Sequence, residues 1–398
     1  MSCVALFCCS AAAQNCTSTA LPIPQDFSTN GTVYELGIWD PDNDGSQNEM
    51  LVVGGSFTSV GKQPIASLAL WDGELWHQIG FGSPIPQVER LGVYEGNLFV
   101  SGLVSGFLAE TWRWDGTSWH YVPVPTPLGI ATCFLQYQGR FFVASSDLQS
   151  EVTSFWQWEN QAWVPAQGGS VYSTINIFRE YKGKLFAGGG SASLWNTGGV
   201  KVNGIAEWNG EYWTHPGFGI PRFTNITALG THQSKLFFGG TALPISTFDG
   251  HNVQQLPGST QSAYAFHSHE DVMLAGGRFQ EGILLWDGVA WQSIFGGISS
   301  STTPTSSVID MLEWDGMIIL AGTFDTAFGN PAGNLALLDI SCLCAPDCDQ
   351  NAVLNIFDYI CFGNAYASMD PYADCDKNGF FNVFDYICFG NAYANGCP

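Results

Sequence analysis

Two segments near the C-terminus carry the residues best suited to chemistry. Residues 347–358 read DCDQNAVLNIFD and residues 374–385 read DCDKNGFFNVFD, the same pattern repeated 27 positions later. Asp347, Asp349, Asn351, Asn355 and Asp358 stand at positions 1, 3, 5, 9 and 12 of the first segment. Asp374, Asp376, Asn378, Asn382 and Asp385 hold the same positions in the second. That spacing wraps hard oxygen donors around one cation. With the position-7 backbone carbonyls of Val353 and Phe380 it approaches the roughly six to eight oxygens that Ca²⁺ takes. Two calcium ions are therefore expected, one per loop. Across residues 342–398 seven Asp face a single Lys, a charge of −6, so metal binding and folding of this segment should be coupled. Gly379 occupies the bend of the second loop where the first has Ala352. Only glycine takes a left-handed backbone without cost, so the second loop is expected to bind more tightly.

A helix should follow each loop, over 357–367 and 384–394. Cysteines recur at positions 2 and 15 of both repeats, as Cys348/Cys361 and Cys375/Cys388. Bridging within each repeat, with Cys344 joined to Cys397, is the preferred pattern among the many connectivities that eight cysteines allow.

Ahead of this tail a phrase recurs from about residue 32 to 341: an apolar strand, a glycine turn, a second strand ending in small residues, then WDGxxW. The WDG-equivalent positions are Trp71, Trp114, Trp158, Trp208, Phe248, Trp286 and Leu338, spaced 43, 44, 50, 40, 38 and 52 apart. The small residues keep the same beat, from Gly54-Gly55 to Ala321-Gly322. Each copy reads as four strands, in the second over 88–94, 97–102, 110–114 and 118–122. Glu95-Gly96 and Asp115-Gly116 are dipeptides that hairpin turns favour. The diglycines let a strand pass where any Cβ would collide. The last copy lacks its fourth strand, which the segment from Leu21 to Asn30 is expected to supply. That join would bring Cys16 close to Cys342 or Cys344.

With a double Gly followed by a spaced aromatic pair, these units resemble kelch-like propeller repeats. Residues 345–398 resemble dockerin type I, because Asp rather than Glu closes each loop, no helix enters it, and the repeats are short and paired. Together the resemblances imply an all-β seven-bladed propeller followed by a small α-helical, calcium-binding domain. A dockerin-like tail further implies a protein partner. Cellulosomal dockerins often carry small polar partner-reading residues at positions 10 and 11; here those positions are Ile356-Phe357 and Val383-Phe384.

The expected organisation is a truncated-looking signal peptide over 1–13, an N-terminal segment over 14–31, the propeller over 32–341 and the tail over 342–398. The apolar stretch SCVALFCCSAAA ends in Ala11-x-Ala13, which fits cleavage after Ala13. Seven cysteines in the last 57 residues suit an oxidising compartment. A secreted or cell-surface location follows. The chain has 12 Lys+Arg against 35 Asp+Glu, a net charge of −23, which disfavours nucleic acid and anionic membranes as partners. No apolar run long enough for a transmembrane helix follows the N-terminus.

No catalytic constellation emerges from the repeats. The tryptophan pairs read as packing between sheets rather than sugar platforms. His267 and His269 alternate onto one strand face, but Glu270-Asp271 beside them reads as a solvated turn rather than a metal site. Cys133 should be a free, buried thiol. Glu89, Glu110 and Glu207 are carboxylates whose mutual placement the sequence leaves open. The leading expectation is an exported, non-enzymatic binding or scaffold protein. The alternative is a carbohydrate-active enzyme or lectin, whose propeller binds or breaks down polysaccharide.

Overall fold

Within the repeats every local signal favours hairpins, and hairpins are what form. The computed structural model describes residues 26–41, 49–339 and 348–395, apart from 107, 127–128, 148, 151, 172, 191–194, 198–199, 219–224, 242, 259–260, 270–271, 287, 295, 302–304, 349–353 and 376–379. It divides into two compact units, Leu21–Leu338 and a second that includes Asp339–Pro398.

The first unit is a propeller-like succession of antiparallel sheets. Six have four strands, and they are named here in chain order as the first (33–77), second (87–121), third (129–171), fourth (175–214), fifth (226–255) and sixth (262–293). A seventh joins Ser307–Trp314, Met317–Thr323 and Leu335–Asp339. The second sheet has strands Gln87–Tyr94, Asn97–Ser105, Leu108–Trp114 and Trp119–Tyr121, close to the expected bounds.

WDGxxW is a turn device. Asp115 Oδ1 accepts the Thr117 and Ser118 backbone N–H groups at 2.9 and 2.8 Å. Gly116 takes φ +95°, a conformation L side chains rarely adopt. The Trp pairs then fill the wedge between sheets, Trp71 and Trp76 lying 5.0 Å apart and both buried. The diglycines serve the close approach expected of them. A Cβ on Gly54 would strike Val88 of the next sheet, and one on Gly55 the Thr32 carbonyl of its own.

All seven inner strands bulge at one place, between Val33/Glu35, Val88/Arg90 and their counterparts as far as Val308/Asp310. Side chains tie neighbouring inner strands where their edges cannot pair. Arg90 Nε donates to Thr132 O (2.5 Å), Thr227 Oγ1 to Ala263 O (2.5 Å), and the Leu36 N–H to Asp310 Oδ2 (2.8 Å). That last bond joins the first sheet to the seventh, and one apolar cluster holds Val33, Leu51 and Trp71 together with Ile319, Ala321 and Leu335.

The ring-closing strand expected within Leu21 to Asn30 has its first five residues outside the described ones. The remainder bridges the two ends of the repeat array. Thr29 N–H donates to Gly333 O (2.7 Å) and Trp76 Nε1 to Asp26 O (2.8 Å), while Thr29 pairs with Val60. Cys16, Cys342, Cys344 and Cys397 lie outside the described residues, as does the signal-peptide segment.

The second unit holds helices α1 (Ile356–Ala367) and α2 (Val383–Asn395), each starting one residue before the expected position. Its core is built twice over. Phe362 stacks on Phe389 at 4.1 Å, Tyr359 meets Phe389 at 5.2 Å, and Tyr386 meets Phe362 at 5.1 Å. Disulfides join Cys348 to Cys361 and Cys375 to Cys388, the same-repeat pattern.

Candidate functional site

The loop residues nearest each helix are set by its N-terminus. Asn355 and Asn382 accept the N–H groups of Phe357 and Phe384 through Oδ1, both at 2.8 Å. In return Asp358 Oδ2 and Asp385 Oδ2 accept the N–H groups of Asn355 and Asn382, both at 2.7 Å. These reciprocal pairs are capping boxes with Asp at the third helical position. The caps leave the carboxylates in an unusual state. Asp358 and Asp385 are both 0% exposed, and a carboxylate taken out of water needs a compensating charge or a full set of donors. Asp385 Oδ1 has no hydrogen-bond partner among the described residues. The Phe380 carbonyl, expected as a ligand, accepts from Asn382 Nδ2 at 2.9 Å. Of the remaining expected ligands Asp374 is described, whereas Asp347, Asp349, Asn351, Val353, Asp376 and Asn378 lie outside the described residues.

Both helices turn apolar side chains outward at matching positions. Ile356, Phe357 and Ile360 are 65, 60 and 52% exposed, and Val383, Phe384 and Ile387 are 63, 62 and 51% exposed. The two triplets are related by the 27-residue repeat.

In the first unit the inner strands assemble charges that sequence reading missed. Arg90 Nη1 lies 4.0 Å from Glu35 Oε2. Asp310 accepts the Leu36 and Met311 N–H groups, both at 2.8 Å. Arg179 Nε donates to Leu229 O at 3.3 Å. Burial pushes Glu35 up to about 8 against the pull of Arg90, and Asp310 up to about 6. Burial likewise pushes Cys133, a free thiol, up to about 12. The signal was present in the repeats: Glu35, Arg90, Cys133 and Asp310 all directly follow the bulged residue of their strands.

The histidine pair meets a different acid from the one beside it in sequence. His267 Nε2 and His269 Nδ1 lie 3.3 and 3.2 Å from Oε2 of Glu313, on the neighbouring inner strand. Among the described residues no group of three His, Cys, Asp or Glu is arranged to hold a metal ion. Glu89 accepts from Gln87 (2.6 Å), Glu110 from Trp112 (2.8 Å) and Glu207 from Lys184 (2.7 Å), each within its own sheet. No described helix is long and apolar enough to cross a membrane.

No family model matches the chain, and no curated protein sequence matches it. Among solved structures it is similar to the computationally designed Ika8 protein at 11% identity, covering 78% of this chain and 97% of that one, with a TM-score of 0.49. It is also similar to YCF48 bound to D1 peptide at 12% identity, covering 75% and 91%, with a TM-score of 0.48.

Proposed function

We propose that the chain is an exported, non-enzymatic binding protein. A closed seven-bladed propeller serves as its interaction platform, and a calcium-stabilised, dockerin-like tail attaches it to a protein partner. The observation that carries the tail reading is the buried carboxylate of Asp385 with an oxygen left over after capping. A bound Ca²⁺ would supply positive charge beside the buried carboxylate of Asp385, in a segment of charge −6. The donors are all oxygen, which suits Ca²⁺ better than a transition metal. Asp347, Asp349, Asn351, Asn355 and Asp358 would hold one ion, and Asp374, Asp376, Asn378, Asn382 and Asp385 the other, with the Val353 and Phe380 carbonyls.

Seven bladed units are supported by the seven bulged inner strands and by the bond from Leu36 to Asp310, which links the last to the first. Attachment is supported by the two outward apolar triplets, since large exposed apolar side chains in a small domain mark contact surfaces.

Calorimetric titration of the full-length protein with CaCl₂ tests the tail. Two bound ions are expected, and no heat at millimolar calcium sinks the reading. Replacing Phe357 and Phe384 together by Ser should leave calcium binding intact and abolish calcium-dependent capture of the partner.

A further inference from the structure

The repeats act as controls for one another, and the junction between the third and fourth sheets is filled differently from its counterparts. In the first, second and fourth sheets the last aromatic of the inner strand reaches the turn of the next sheet. Trp39 Nε1 donates to Gly96 O (2.8 Å), the Tyr94 hydroxyl to Gly139 O (3.1 Å), and the Tyr181 hydroxyl to Ser234 O (2.8 Å). Tyr137 holds the equivalent register position, yet its hydroxyl accepts from Gln138 Nε2 (3.2 Å) instead of reaching Gly183.

The second departure is a missing plug. Three residues past the second aromatic of WDGxxW, or past Val253 in the fifth sheet, a buried apolar side chain follows: Ile79, Val122, Pro216, Leu256 and Ile294. The third sheet has Ala166 there, and it is only partly buried. Trp208 is half-buried, as Trp158 is, whereas Trp71, Trp114, Phe248 and Trp286 are buried.

The outcome is a cavity of about 670 Å³ between these two sheets, with Tyr137, Ala166 and Trp208 in its lining. Its volume falls within the roughly 300–1,000 Å³ of small-molecule sites. Tyr137 and Trp208 give it aromatic walls, and Arg140, Gln157, Glu207 and Asn209 give it hydrogen-bonding groups. Arg140 is exposed and has no ion-pair partner among the described residues.

We propose that this cavity binds a short saccharide of one or two rings. A pyranose offers an apolar C–H face, which aromatic rings cover, and an edge of hydroxyls that both donate and accept. Planar carboxylate, guanidinium and amide groups each present two polar atoms to such an edge. A wholly apolar ligand would strip water from Arg140, Gln157 and Glu207 without replacing it, at a cost in affinity. The proposal is independent of the calcium reading of the tail.

The test applies the full-length protein to an array of immobilised mono- to tetrasaccharides, then titrates any retained sugar in solution by calorimetry. Ala166→Ile supplies the side chain that the other junctions carry. It should hold or raise the melting temperature and weaken saccharide binding at least tenfold. Arg140→Ala and Gln157→Ala, both at the solvent side of the fold, should weaken binding about tenfold with melting unchanged. Chelating calcium should leave binding unchanged. Retention of no saccharide, or wild-type affinity in Ala166→Ile, or loss of binding on chelation, overturns the proposal.

Discussion

Phe27→Ala would show whether the segment before the first sheet belongs to the ring. Phe27 is 1% exposed, stacks on Trp76 at 5.4 Å and meets Trp71 edge-on at 5.4 Å. On either side of it Asp26 and Thr29 bond to Trp76 and Gly333, so this one side chain fastens the strap that spans both ends of the array. Truncating a buried Phe to Ala costs about 3–5 kcal/mol, and its two ring contacts place the loss near ~4 kcal/mol. At roughly 2.1 cal/mol/K of unfolding entropy per residue, the Leu21–Leu338 unit has about 0.7 kcal/mol/K. The midpoint should therefore fall by about 6 °C. Differential scanning calorimetry reads this directly, and limited proteolysis should show the N-terminal segment cut first. A fall of less than about 1 °C would refute the strap, because the segment would then be dispensable to the ring.

Replacing Asp385 by Ala should cost more calcium affinity than replacing Asp358, since the sequence puts Gly379 at the expected bend of the second loop and Ala352 at that of the first; equal losses by calorimetric titration count against the unequal sites. Cys133, with its thiol pushed up to about 12, should resist iodoacetamide at pH 8 in the folded protein and react fully in guanidinium. Glu35 faces Arg90 and Asp310, with Cys133 beside them. Its carboxyl is raised from 4.5 to about 8, so the folded state holds a proton that the unfolded chain gives up. Stability should fall as pH rises from about 5 to about 8. Glu35→Gln should flatten that slope, melting near wild type at pH 5 and above it at pH 8. A wild-type slope in the variant would remove Glu35 as its cause. The Ala166→Ile variant should gain melting temperature whether or not any saccharide is present, because its added methylenes fill space that the other junctions already fill.

What was legible in the sequence was local. WDGxxW could be read because Asp and Gly act within their own turn, as Asp249 does by accepting the N–H groups of His251 and Asn252 at 2.7 Å. The diglycines could be read because a strand without Cβ atoms has few other uses. The helices of the tail could be read because each cap lies within a few residues of its partner. What escaped was whatever depends on bringing strands together. Glu35, Arg90 and Asp310 are separated by 55 and 220 positions, and only adjacency of the first and last sheets makes neighbours of them. The contact of Glu313 with His267 and His269 escaped for the same reason: the neighbour in space is on the next inner strand. Ala166 was visible but meaningless until its counterparts were seen to be plugs.

The tail's apolar surface is divided between two jobs, and the division bears on its role. Among the described residues Phe362, Ala373 and Phe389 are its buried apolar core, and the duplicated rings make that core a shared one. Tyr359 of the first repeat packs on Phe389 of the second, and Tyr386 packs on Phe362 in return. Neither repeat completes this core alone, so the two helices are held by one structure. Against this small core stand two matching triplets of large apolar side chains, each more than half exposed. Folding does not require them outward: apolar residues left in water forgo about 1.5–3 kcal/mol each relative to burial. A domain of charge −6 that relies on bridges and oxygen-rich loops for order has little apolar surface to leave idle. On the function proposed above, the two triplets are surface reserved for a partner, presented twice because the unit that carries it was duplicated.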